Sequence, residues 1–233
     1  MKMFFRECLS AVFAVLILFP MSLAEAGSVV VPGGYGNFTV AVTSMKEGRF
    51  RTTIRQQFDF SCGSAALATL LSHHYEDPVT EQQVFKEMYD IGDQEKIKTE
   101  GFSLLDMKNY LEARGYTADG YRITLDKLQE IGIPAIVLIN NQGYRHFVVV
   151  KGLTSEEVLL GDPSLGTRNV RRNEFEGMWN GLVFLVRNKK SVAQNHFNSV
   201  VEWRTRIKAP LGSALNRSEL ANITLLMSEV SGL

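Results

Sequence analysis

Ser61 to Tyr75 reads SCGSAALATLLSHHY. Alanine and leucine dominate it and a serine stands where an N-cap belongs, so the stretch predicts the central helix of the fold. Asp77-Pro78 ends it. Thr80 with Gln83 offers a capping box for a second helix through about Tyr89. SLLDMKNYLEAR, Ser103 to Arg114, predicts a third helix stopped by Gly115, and Thr124 to Ile131 a short fourth. After Pro134 the period changes. AIVLI (Ala135 to Ile139), HFVVVK (His146 to Lys151), Val158 to Gly161 and Leu182 to Val186 are short β-branched or apolar runs separated by turn-forming residues. Such connections are too short for helical crossovers, so the strands pair mainly antiparallel. Helices first and sheet second predict an α+β fold, with N-terminal helices packed on a mainly antiparallel sheet.

Working outward, Gly27 to Gly36 (GSVVVPGGYG) reads as a glycine-rich entry, and Phe38 to Val42 with Arg51 to Arg55 as a short hairpin. Ahead of these, Lys2 and Arg6 precede an apolar run from Leu9 to Phe19 and the small-residue pattern Ala24-Glu25-Ala26. That is the layout of a cleavable export signal, residues 1–26. The run is broken at Pro20 and falls short of the roughly 20 apolar residues that cross a bilayer, so no membrane span is expected in the mature chain. Beyond Lys189, Ser191 to Ile207 and Asn216 to Val230 both look helical, the second with Leu220, Ile223, Met227 and Val230 on one face. The expected organisation is therefore a signal (1–26), a glycine-rich and hairpin segment (27–54), a principal domain (55–188) and a helical extension (189–233). The extension reads as helices packed on the domain, with a docking arm or a flexible tail as alternatives.

Composition is that of a globular chain, 45% hydrophobic, and 25 basic residues balance 25 acidic ones. No basic surface for nucleic acid is implied. Of the two cysteines, Cys8 falls inside the signal, which leaves Cys62 without an internal disulfide partner.

Cys62 stands in the first turn of the central helix, where unpaired backbone N–H groups and the helix dipole favour a thiolate. A thiolate nucleophile works with an imidazole that accepts and returns the proton. His73 and His74 lie about three turns along the same helix, at roughly 1.5 Å rise per residue, and cannot reach it. His196 is in the extension. His146 opens a strand after a glycine turn, where its ring can face a helix start, and Asp162 in Gly161-Asp162-Pro163 follows the next strand. On a hairpin the two are neighbours, which suits a carboxylate that fixes the imidazole tautomer. Each residue alone also has a plain reading: a buried structural thiol, a sheet-edge histidine, an Asp-Pro turn. The order Cys, His, Asp in these local contexts favours the joint reading.

QQFDFSCGSAAL (Gln56 to Leu67), GYRHFVVV (Gly143 to Val150) and LGDP (Leu160 to Pro163) resemble, in that order, the three motifs of the bacteriocin-processing cysteine peptidases, cysteine peptidase family 39. The resemblance covers about Arg55 to Asn188 and implies a papain-like fold. It makes Cys62 the nucleophile, His146 the general base and acid, Asp162 its orienter, and Gln56, six residues before the cysteine, the donor to the oxyanion; Gln57 is the adjacent alternative. It implies a polypeptide substrate and neither a cofactor nor a metal. Transporter-linked members continue into membrane and ATP-binding regions. A free-standing, signal-bearing layout is instead similar to the peptidase components of functional-amyloid secretion systems. That implies a periplasmic endopeptidase acting on an exported amyloid or leader-bearing protein, with secretion machinery as a further partner.

Three other readings remain open. Degenerate members of the family dock peptides without cutting them, although retained Cys62 and His146 argue against that here. A cell-wall amidase shares the same catalytic logic. A zinc site on Cys62, His146 and Asp162 lacks the closely spaced ligand pairs that structural zinc favours.

Overall fold

The computed structural model describes residues 28–33, 36–41, 44–141 and 143–204. The expected signal and the amphipathic stretch Asn216 to Val230 lie outside the described residues. The chain divides into two units, one ending at Ser44 and one beginning at Met45.

In the first unit β1 (Ser28–Gly33) pairs antiparallel with β2 (Gly36–Ala41). This corrects the expected pairing. The strand foreseen at Phe38 is present, but its partner is the stretch read as a loose glycine-rich entry, whose Val29-Val30-Val31 run suits a pleated strand. Residues 51–55 form no strand; α1 (Met45–Arg49) and an irregular segment precede the central helix.

The second unit begins its main architecture with α2 (Cys62–His74), whose alanines and leucines at 65–68, 70 and 71 have no exposed surface. A helix covered on so many sides sits in the middle of a domain. Small residues make this possible. A Cβ on Gly63 would stand 2.9 Å from Met107 Cε and 3.0 Å from Phe102 Cβ, so the position beside Cys62 needs glycine for the next helices to close in. Those are α3 (Glu81–Ile91), α4 (Gln94–Glu100) and α5 (Leu104–Ala113). The Thr80/Gln83 capping box forms as expected, Ser103 caps α5 with Asp106, and Gly115 takes a left-handed φ of 78° just past the end. Helix α4 was not foreseen, since QEKIKTE buries only Ile97 and shows no apolar stripe.

Next come β3 (Ala118–Arg122), α6 (Leu125–Ile131), β4 (Ala135–Asn141), β5 (Tyr144–Leu153), β6 (Glu157–Asp162), β7 (Gly166–Arg171), α7 (Arg172–Met178) and β8 (Trp179–Val186). Six strands form one sheet in the order β3-β8-β4-β5-β6-β7, every neighbouring pair antiparallel. The α+β fold, N-terminal helices on an antiparallel sheet, is the one the sequence implied. Strand β5 lies inside the sheet with α2 packed on it, and all but its first two residues are buried. That is why HFVVV reads as a continuous apolar run rather than an alternation. Cys62 stands at the start of α2 and His146 near the start of β5.

The extension departs from expectation. The single helix foreseen from Ser191 is two short ones, α8 (Lys190–Asn195) and α9 (Val200–Trp203), broken at Asn198, whose φ is 58°. Asn198 leaves the helix to bond β5: its backbone N–H donates to Lys151 O (3.0 Å), its Oδ1 accepts from Leu153 N (2.7 Å), and its Nδ2 donates to Leu153 O (3.2 Å). Lys151, with no exposed surface, then pairs with Glu202 at 2.5 Å and donates to Thr52 O and Oγ1. The described part of the extension is thus packed on the domain.

Candidate active site

Ser61 occupies the N-cap position of α2, yet its hydroxyl does not cap the helix. It donates to Phe58 O (3.0 Å) and accepts from Phe58 N (3.1 Å), closing the loop in front of Cys62. The amides of the first turn, that of Cys62 among them, therefore receive no cap from the Ser61 side chain. Cys62 is half-buried and is the one free cysteine among the described residues.

His146 is buried near the start of β5, and its Nε2 lies 2.8 Å from Asp162 Oδ1 at the end of β6. The β5–β6 pairing brings them together across neighbouring strands. The Asp162 Oδ1 atom also accepts from the backbone amides of Ser164 (2.9 Å) and Leu165 (3.2 Å), and Oδ2 from Arg168 Nε (3.2 Å). Burial pushes the Asp162 carboxyl up, but the bonds from His146, Ser164 and Arg168 outweigh it and leave it below the usual carboxylate value. Burial likewise pushes His146 down. The Asp162 hydrogen bond and then the Cys62 side chain outweigh that too, and its pKa is pushed up to about 9. With Nε2 held by Asp162, Nδ1 is the other ring nitrogen. It is buried and without a hydrogen-bond partner among the described residues. The Tyr144 ring stacks on the imidazole at 5.6 Å.

Gln56 joins the two halves of this arrangement. Its backbone N–H donates to Pro163 O (3.1 Å) and its Oε1 accepts from the Ser164 hydroxyl (3.0 Å), while Nε2 donates to Phe58 O (3.0 Å). Gln57 is exposed and its Oε1 accepts from Gln82 on α3 (3.1 Å). The structure therefore ties Gln56, not Gln57, to the turn after Asp162.

A cleft of about 1160 Å³ opens beside Cys62, with Phe60, Ile97, Leu105, Leu138, Tyr144 and Phe147 among its walls. Phe60 and Tyr144 thus line this cleft, whereas Phe58 and Trp179 do not. Phe58 instead stacks on Phe60 at 5.8 Å, and Trp179 packs on Phe175 and donates to Leu182 O. Sequence reasoning missed Ser164 and Arg168. Nothing in a single chain separates Arg168 from Arg171 and Arg172; only the β6–β7 register selects it.

Residues 51–191 match the Peptidase C39 family, a span holding the Cys62, His146 and Asp162 motifs. The chain belongs to that family and is a cysteine peptidase. The peptidase is 46% identical over 163 residues to the probable functional amyloid protease FapD of Pseudomonas aeruginosa, covering 70% of this chain and 72% of that one. It is also 46% identical to the same-named protein of Pseudomonas fluorescens over 67% of this chain and 69% of the other. Among solved structures, a double glycine motif protease from an AMS/PCAT transporter, in complex with its leader peptide, is 29% identical, with 57% of this chain and 89% of that one covered and a TM-score of 0.48. No helix among the described residues is long and apolar enough to cross a membrane.

Proposed function

We propose that the peptidase is exported to the periplasm and cleaves an exported polypeptide, an amyloid protein or a leader-bearing one, with Cys62, His146, Asp162 and Gln56 as its working groups. The observation that carries the reading is the Nε2 to Oδ1 bond of 2.8 Å between buried His146 and Asp162, with Nδ1 left over beside the Cys62 end of α2. Export is supported by the signal-like residues 1–26, and the amyloid substrate by the two Pseudomonas relatives, each a probable functional amyloid protease.

In this mechanism His146 takes the Cys62 thiol proton on Nδ1, and the thiolate attacks the peptide carbonyl. The Cys62 backbone N–H and the Gln56 amide face the oxyanion, a geometry worth several kcal/mol when donors are fixed in advance. The oxyanion takes over one of the Nε2 hydrogens that Gln56 otherwise directs to the carbonyls of Phe58 and Asp59. His146 then protonates the leaving amine, and with water it reverses the roles to free Cys62. Asp162 keeps Nε2 as the donor to itself and Nδ1 as the working nitrogen throughout. No step calls for a metal or a cofactor.

The test is mass spectrometry of exported proteins from cells carrying the wild-type protein or Cys62→Ala. A precursor that accumulates and a trimmed product that vanishes in the variant identify substrate and cut site together. Identical protein sets overturn the reading.

A further inference from the structure

One buried charge is not accounted for by this mechanism. With the proton on His146, the site holds a thiolate, an imidazolium and the Asp162 carboxylate, which leaves one negative charge without a partner. Asp162 is 2% exposed and His146 4% exposed, so water does little to screen that charge. The balancing cation is Arg168, whose Nε donates to Asp162 Oδ2 at 3.2 Å.

The β6–β7 register explains how it arrives. Gly166 stands opposite Asp162 and Arg168 opposite Leu160, so Arg168 lies on the diagonal of the same sheet face as Asp162. The residue directly across from the carboxylate has no side chain to block that diagonal. Arg168 itself borders a polar groove of about 480 Å³ walled by Arg49, Glu157, Asn169, Arg171 and Glu174. Two faces of the carboxylate are thereby divided: Oδ1 serves the imidazole and the turn amides, and Oδ2 serves the guanidinium alone among the described residues.

We propose that Arg168 is a positioning residue of this peptidase, which neutralises Asp162 from behind so that the thiolate, imidazolium, carboxylate and guanidinium form an electrically balanced set. The inference rests on the reading of Cys62 and His146 as the reacting pair. Arg168 fixes the carboxylate rotamer through a charge-assisted bond and limits how tightly Asp162 holds the imidazolium, which must give its proton to the leaving amine. A histidine held too tightly is a weaker acid and slows that step. The other ionisable groups against the imidazole are Cys62 on α2 and Tyr144 on its own strand, the latter interacting in turn with Asp59 of the loop before α2. None of these supplies a second positive charge.

The experiment is NMR titration of the His146 ring together with the pH dependence of Cys62 alkylation by iodoacetamide, in the intact mature protein. Arg168→Gln, which keeps an amide donor and removes the charge, is expected to move the His146 midpoint up by about half a pH unit, roughly a threefold gain in proton affinity, and the alkylation profile with it. Arg168→Lys keeps the charge and is expected to stay within about 0.2 unit of wild type. In an Asp162→Asn background, where no carboxylate charge needs balancing, Arg168→Gln adds less than half of its shift. An unchanged midpoint in Arg168→Gln, or a Lys variant that shifts as far as the Gln variant, overturns the proposal. If Arg168→Gln does not fold, the Lys variant alone decides: a shift beyond half a unit overturns it and a retained midpoint supports it. Failure of the underlying reading looks different, because wild-type Cys62 alkylation then ignores His146→Ala whatever stands at position 168.

Discussion

Helix α2 ends in two buried polar clusters that share their parts and differ in outcome. At its start, His146 lies against a carboxylate, and Asp162 with Cys62 lifts it to about 9 against the pull of burial. At its end, His74 is equally buried but has a cation for a neighbour: burial first, then the charges of Lys151, His73 and His196, hold it well below the ordinary histidine value. The nearby carboxylate there, Glu202, is spent on Lys151 at 2.5 Å. Burial is common to both clusters, so the sign of the shift is set by which partner lies against the ring. At one end the ring is favoured in its protonated form. The other is a clamp that closes the described extension onto strand β5.

The clamp gives the largest expected stability effect. Lys151→Met leaves Glu202 buried and unpaired, and urea unfolding is expected to show a loss of about 3–5 kcal/mol. Lys151→Met with Glu202→Leu recovers most of it, since an apolar pair of similar size avoids the uncompensated charge. Labelling of Cys62 in the folded protein stays at the wild-type rate in both, which separates the two ends of the helix. A slowed rate breaks the comparison.

At the reactive end, Gln56→Ala is expected to cost roughly 10²–10³ in kcat with KM little changed, the usual loss for one oxyanion donor, and Gln57→Ala close to nothing. Equal losses would show that the Gln82-bonded Gln57 shares the role. The raised pKa of His146 also links stability to pH. Its contribution, on the order of 3 kcal/mol, is fully present below about 6.5 and is lost as pH rises through about 9. Thermal melts between about pH 6 and 10 should show this decline in the wild type and a much shallower one in Asp162→Asn. Smallest of all, Ser61→Ala opens the Phe58 loop and is expected to cost about 1 kcal/mol, because it removes one hydroxyl that both donates and accepts.

How much of this was legible in the chain follows the same division between local and tertiary causes. Helix α2 and the Thr80/Gln83 box announce themselves through neighbours three or four residues apart. Cys62, His146 and Asp162 were singled out from their local settings at the start of a helix and the ends of strands. Their union needed the β5–β6 pairing. Arg168 was invisible because GTRNVR reads as a polar loop; as edge strand β7 it is paired on one side only and keeps charged residues at its surface. The edge strand β3 hid for the same reason. The break at Asn198 comes from bonds to Lys151 and Leu153, more than 40 residues back in the chain, that no helical periodicity can register. Likewise Ser61 sits where an N-cap belongs while its hydroxyl serves the Phe58 loop.

The central claim is that Cys62 reacts as a thiolate whose proton rests on His146. Intact-mass measurement of the purified protein exposed to a thiol-directed peptidase inhibitor at about pH 7 tests it directly. The expected result is a single adduct, mapped to Cys62, that forms at least tenfold more slowly in folded His146→Ala. Equal labelling of the two proteins, or an adduct elsewhere, contradicts it.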